Sequence, residues 1–153
     1  MSSLTIELLR ENTSALNENA KALKSSYDKC VIIGAKKDYS DEELIHFEAL
    51  MSRYARSVDL LIHKALRSLD VVEFAASGTV IDAANRAEKR GIVDSVDQLR
   101  NLKDLRNEIA HEYISANIFD LFKQVIAFVP PLLNIIDRVT LYASKYLEKD
   151  AGK

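Results

Sequence analysis

Residues 40–72, SDEELIHFEALMSRYARSVDLLIHKALRSLDVV, decide how this chain is read. Ser40 followed by Glu43 is a capping-box pattern, in which each side chain satisfies the other residue's backbone N–H at a helix start. Asp41 and Glu42 set negative charge against the positive end of the helix dipole. Behind them Phe47, Leu50, Met51, Tyr54, Val58, Leu61, Ile62, Ala65 and Leu69 recur at steps of three and four, the period of a helix with one buried face. No Gly or Pro interrupts the run. At 1.5 Å per residue, a helix that reaches Val72 spans on the order of 45 Å. A helix of that length covers its apolar stripe most simply in a bundle.

The flanking sequence supplies the other members. Upstream, Leu4, Leu8, Leu16, Ala20, Leu23 and Tyr27 fit a helical stripe from Ser3 to Lys29; the short run Val31-Ile32-Ile33-Gly34 after it has no clear assignment. Downstream, Ala76-Ser77-Gly78 breaks the pattern, and a short helix from Thr79 to Arg90 ends at Gly91, a natural C-terminal cap. A fourth helix starts at Asp94 or Ser95 and runs to Tyr113, with Val96, Leu99, Leu102, Leu105 and Ile109 inward. A fifth runs from Asn117 to Glu148. Pro130-Pro131 should kink it or divide it, since proline removes a donor and clashes with the preceding turn. The reading is an all-α, four- to five-helix up-and-down bundle: one helical domain over 1–147 and a flexible tail over 148–153.

Composition agrees. The 153 residues are 48% hydrophobic and 29% charged, with four Gly and two Pro, too few for a turn-rich β fold. A domain of this size needs no disulfide or metal to fold. Cys30 stands alone, which suits a packed thiol in a reducing compartment. The net charge of −2 argues against a general nucleic-acid coater, so any contact with RNA must use a local basic patch. The N-terminus lacks the basic and long apolar regions of a signal peptide. The longest apolar stretch, Val125 to Leu133, is too short to span a bilayer. A cytoplasmic protein with no membrane contact is expected.

Few residues can carry chemistry. Metal-ligand spacings, phosphate-cradling glycine loops and nucleophile elbows are all missing from the sequence, so neither metal nor cofactor is expected. His46 and His63 read as ordinary helix histidines. The segment that stands out is Leu105-Arg106-Asn107-Glu108-Ile109-Ala110-His111-Glu112-Tyr113. At about 100° per residue, Arg106 and Tyr113 fall beside the apolar arc of Leu102, Leu105 and Ile109, within about 20° of each other. A guanidinium there needs an anionic partner or an interface. Asn107 and His111 form an i, i+4 pair on another face. The step from Arg106 to His111 turns the helix by about 140°. The two side chains therefore converge only if the helix end is distorted or a second copy crosses a two-fold axis.

Such a pair suits metal-free RNA cleavage, in which the 2′-oxygen attacks the adjacent phosphate. Histidine can give or take the proton near neutrality. Arginine offers a permanently charged planar fork to phosphate oxygens. Arg100 and Lys103, at three-residue steps before Arg106, could extend a basic track along the RNA backbone.

The segment resembles the R-N-x-x-x-H signature of HEPN domains, and more narrowly the R-x4-H-x-Y form of HepT-like toxins from HepT/MntA toxin–antitoxin systems. Arg106, Asn107, His111 and Tyr113 match it residue by residue. The layout is similar over most of the chain; the specific motif covers about nine residues. The resemblance implies a HEPN-fold bundle forming a homodimer whose two motifs line one cleft. It also implies a metal-independent endoribonuclease acting on tRNA or mRNA, with Arg106 and His111 catalytic and Asn107 supporting. Tyr113 would be AMPylated by an MntA-like nucleotidyltransferase antitoxin, whose bulky anionic product would block the cleft. Some relatives in that family instead act as non-catalytic nucleotide- or substrate-binding partners of a minimal nucleotidyltransferase, and the motif is compatible with this too.

Overall fold

The computed structural model describes residues 2–75, 78–111 and 118–151, and among these it contains helices and no strand. Helix α1 is Ser3–Ile33, α2 Asp41–Leu60, α3 Leu66–Val72, α4 Val80–Lys89, α5 Val96–His111 and α6 Ile118–Ala151. Between α2 and α3 the chain stays helical through a wider π turn, Leu61–Ala65, so 41–72 is one rod. Its start is the expected capping box: Ser40 Oγ accepts from the Glu43 N–H, and the Ser40 N–H donates to Glu43 at 3.0 Å. All nine apolar positions read from the rod's sequence are buried.

The rod lies antiparallel to α1, because side-chain contacts between them run in reverse order. Asn12 donates to Ser68 at 2.6 Å, Asn19 to Ser57 at 2.5 Å, and Arg53 to Ser26 at 2.7 Å. Helix α6 runs alongside, with Phe122 stacked on Phe47 at one end and Tyr142 bonded to Glu73 at the other. The core is a single cluster that draws on every helix.

Two expectations change, and one segment left open is assigned. The stripe of α1 is Ile6, Leu9, Thr13, Leu16, Ala20, Leu23, Tyr27 and Cys30, at alternating steps of three and four. Leu4 and Leu8 are not in it and lie 78% and 45% exposed. Ile6 and Leu9 take their place, and Thr13 carries the stripe on to Leu16. Val31-Ile32-Ile33 is the last turn of α1, closed by Gly34 at φ 73°, whose N–H bonds the Cys30 carbonyl at 2.9 Å. Pro130 and Pro131 do not divide α6, which is continuous to Ala151. The neighbouring Val129, Leu132, Ile135 and Ile136 are all buried, and their packing offsets the lost backbone bonds.

Helix α4 ends as expected. Gly91 takes φ 75°, its N–H bonds Glu88, and the Ile92 N–H bonds Ala87 at 2.9 Å, a Schellman closure. The end of the rod is pinned to α4 by charge. Asp70, nearly fully buried, accepts two bonds from Arg86 at 2.9 Å and one from Arg90 at 2.8 Å. Glu73 accepts from Arg90, Tyr142 and Tyr146. Burial alone would raise the Glu73 carboxyl's pKa, but those three donors outweigh it and hold the group below its ordinary value. This cluster ties the end of the rod to α4 and to the far end of α6.

Cys30 is fully buried, and burial pushes its thiol up to about 11, so it packs and does not react. Helix α6 is long and apolar enough to cross a membrane by length and composition, with a mean hydropathy of 1.4 over its best window. Its stripe from Leu121 to Ala143 is nevertheless covered by the bundle.

Candidate functional site

Helix α5 presents the motif. Leu99, Leu102 and Leu105 anchor it in the core, and the buried Tyr54 hydroxyl donates to the Leu102 carbonyl at 2.9 Å. That bond fixes α5 against α2 one turn before Arg106. Arg106 then meets the anionic partner its position demands. Its Nε and Nη2 donate to the two carboxylate oxygens of Asp59 at 2.8 and 2.9 Å, a planar two-point grip. The bonds to Asp59 strengthen the guanidinium's hold on its proton. Nη1 makes no hydrogen bond among the described residues, and the side chain is 31% exposed, so one donor group of the fork is uncommitted there.

The partner Asp59 belongs to a line the sequence did not announce as functional. Asp59, His63 and Arg67 follow at steps of four along the rod, and the π turn lies under the middle of it. Such turns recur at functional sites because they break the regular ladder and re-aim side chains. His63 is exposed and sits in the field of Lys103, Asp59, Arg67 and Arg106. Partial desolvation and then Lys103 lower its pKa; Asp59 opposes them, while Arg67 and Arg106 add to the lowering. The imidazole therefore favours its neutral form at neutral pH.

The other expected site residues are placed as follows. Lys103 lies beside His63, half-buried and free of any ion pair among the described residues. Arg100 is exposed and pairs loosely with Asp97 at 3.5 Å, one turn away on its own helix. Asn107 and His111 are exposed at the C-terminal end of α5 and make no hydrogen bond among the described residues. Tyr113 lies outside the described residues. Arg106 and Lys103 are thus brought together with Asp59 and His63, whereas Asn107 and His111 are left facing outward.

Beside this line is a cavity of about 80 Å³, shared by His63 and Arg67 with Arg86, and walled by Ile62, Val71, Val80 and Ala83. Among the described residues no group of three or more His, Cys, Asp or Glu could hold a metal ion. No protein-family profile, curated protein or solved structure matches this chain.

Proposed function

We propose that this chain is a metal-independent endoribonuclease of the HEPN kind, working as a two-fold dimer in the cytoplasm. The observation that carries the reading is Arg106: a guanidinium fixed in plane by Asp59, with Nη1 uncommitted among the described residues, five residues before an exposed His111 at the same helix end. A fixed cation on one copy, set across a two-fold axis from the titratable group of the other, is what phosphate chemistry without a metal requires.

In the reaction, the RNA 2′-hydroxyl attacks the adjacent phosphorus, and the bond from phosphorus to the 5′-oxygen breaks. One His111 imidazole accepts the 2′-hydroxyl proton. The imidazolium so formed, on the copy opposite the engaged Arg106, then gives that proton to the departing 5′-oxygen. Arg106 meets the charge that builds on the non-bridging oxygens through its free Nη1, and Asn107 orients the imidazole. The products are a 2′,3′-cyclic phosphate and a 5′-hydroxyl, and no water or metal enters the first step. As a HepT-like toxin the protein would be silenced by AMPylation at Tyr113 from an MntA-like nucleotidyltransferase.

A second reading, a non-catalytic partner of such a nucleotidyltransferase, is favoured by one feature. Two of the fork's donors are already committed to Asp59, which leaves Arg106 less to offer a phosphate. Incubating tRNA and mRNA with unmodified protein in excess chelator, beside His111→Ala, separates the two. Cleavage by wild type alone, leaving cyclic phosphate ends, supports the ribonuclease. Intact RNA with a bare Tyr113 moves the reading to the partner subunit.

A further inference from the structure

We infer that the lane from Arg106 past Lys103 and His63 to Arg67 is a seat for the backbone of single-stranded RNA, ending at the cavity beneath α4. The inference rests on the ribonuclease reading for its substrate class, but its test does not need cleavage.

The first ground is charge. Arg67 and Lys103 have no carboxylate partner among the described residues, and it is their placement together that sets them apart from the chain's other unpaired cations. Two elements bring them to one place: Lys103 from α5 and Arg67 from the rod, both within the field of His63. Two of the carboxylates near the lane are already satisfied. Asp59 is held by Arg106, and Asp70, which reaches the cavity wall, is held by Arg86 and Arg90. Asp104, exposed one residue beyond Lys103, lines a separate recess with Arg100 and Lys103 between α4 and α5 and is, among the described residues, the one carboxylate the lane's cations share space with there. Unpaired cations in line, on an otherwise acidic protein, are the local basic patch that an RNA contact here must use.

The second ground is the lane's end. The cavity joins His63, Arg67 and Arg86 to an apolar wall of Ile62, Val71, Val80 and Ala83. Cations beside an apolar recess match a strand whose phosphates lie outside and whose unstacked base turns in. A duplex keeps its bases stacked and cannot use the recess. The lane therefore selects single strands.

The test uses the full chain and a fluorescent 2′-O-methyl oligouridine of about 12 nucleotides, which lacks the attacking hydroxyl and cannot be cut. Arg67→Glu and Lys103→Glu should each weaken binding about tenfold, and each should reduce the slope of log affinity against log salt by about 0.7. Lys21→Glu, on the exposed face of α1, should bind as wild type does. A matched duplex should bind more weakly than the single strand. Thermal melts confirm that the variants fold. Unchanged binding by both lane variants overturns the inference, as does an equal loss in Lys21→Glu. Duplex binding as tight as single-strand binding overturns the choice of a single strand. If the lane variants lose binding while wild type leaves ordinary RNA intact, the lane stands and the ribonuclease reading fails.

Discussion

Replacing Asp59 with asparagine separates two roles that its grip on Arg106 could play. In the wild type the carboxylate holds the guanidinium in plane by two bonds of 2.8 and 2.9 Å. The asparagine keeps the shape but loses the charge and one of the two acceptors, so the fork can rotate. The stability cost is small, because the two side chains are 41% and 31% exposed and solvent screens the pair. An ion pair this open contributes about 0.5–1 kcal/mol. For a domain of this size that lowers Tm by about 1–4 °C. Catalysis is more sensitive, since a misplacement of about 1 Å in a group that meets the transition state costs on the order of 100-fold. We expect kcat/KM for RNA cleavage to fall about 10- to 100-fold, equal to about 1.4–2.8 kcal/mol of barrier. Initial rates of cleavage of an end-labelled single-stranded RNA in chelator, with differential scanning calorimetry on the same samples, measure both. A rate equal to wild type would refute the positioning role. A faster rate would reverse it: Asp59 would then be withholding Arg106 from phosphate.

Other consequences can be measured without any substrate. Asp70→Asn leaves Arg86 and Arg90 without their shared buried charge, and Arg90 Nη1 already lacks a partner; a loss of about 3–5 kcal/mol in urea unfolding is expected. A loss under about 1 kcal/mol would mean that the cluster is solvated. Tyr54→Phe removes only the bond to the Leu102 carbonyl and should cost about 1 kcal/mol, read as a lower urea midpoint with an unchanged slope. For His63 the folded pKa lies below its ordinary value of 6.5, so as pH falls through 6.5 the unfolded chain takes up the proton first. Stability is then lost as pH drops toward the folded value, and His63→Gln should flatten that part of the urea-midpoint profile; a profile unchanged by the substitution counts against the crowding of cations around it.

Much of the fold was legible because helix signals are local. The capping box at Ser40, the stripe of the rod and the glycine stop at Gly91 each depend on residues a turn or two apart. From Leu16 onward the expected stripe of α1 is the observed one; its start differs because Ile6, Leu9 and a threonine, Thr13, hold the buried positions while Leu4 and Leu8 offer a plausible but exposed alternative. The division that Pro130-Pro131 suggests does not occur, because local rules do not count the tertiary packing around them. The site divides in the same way. The helical wheel required an anion for Arg106, but nothing local could identify Asp59, 47 residues upstream on another helix. His63 was passed over because its neighbours in sequence are bland and its charged company comes from α5. The steps of four from Asp59 to His63 to Arg67 were the available signal.

The partner found for Arg106 also narrows the case for a second copy. Its need for an anion is met inside one chain, so the dimer now rests on the divergence of Arg106 and His111 around α5, about 140° in an undistorted helix. Among the described residues α5 is regular through His111, so distortion of the helix does not bring the two together. If the site is shared, Arg106→Ala and His111→Ala subunits should rescue each other. Each variant alone is inactive. Random exchange makes about half the dimers mixed, and a mixed dimer holds one site with an intact arginine from one copy and an intact histidine from the other. About a quarter of wild-type cleavage should return on mixing, and it should not return when the two substitutions sit in the same chain. Mixed subunits that exchange, by mass spectrometry, yet stay inactive would place the whole reaction within one copy and remove the composite site.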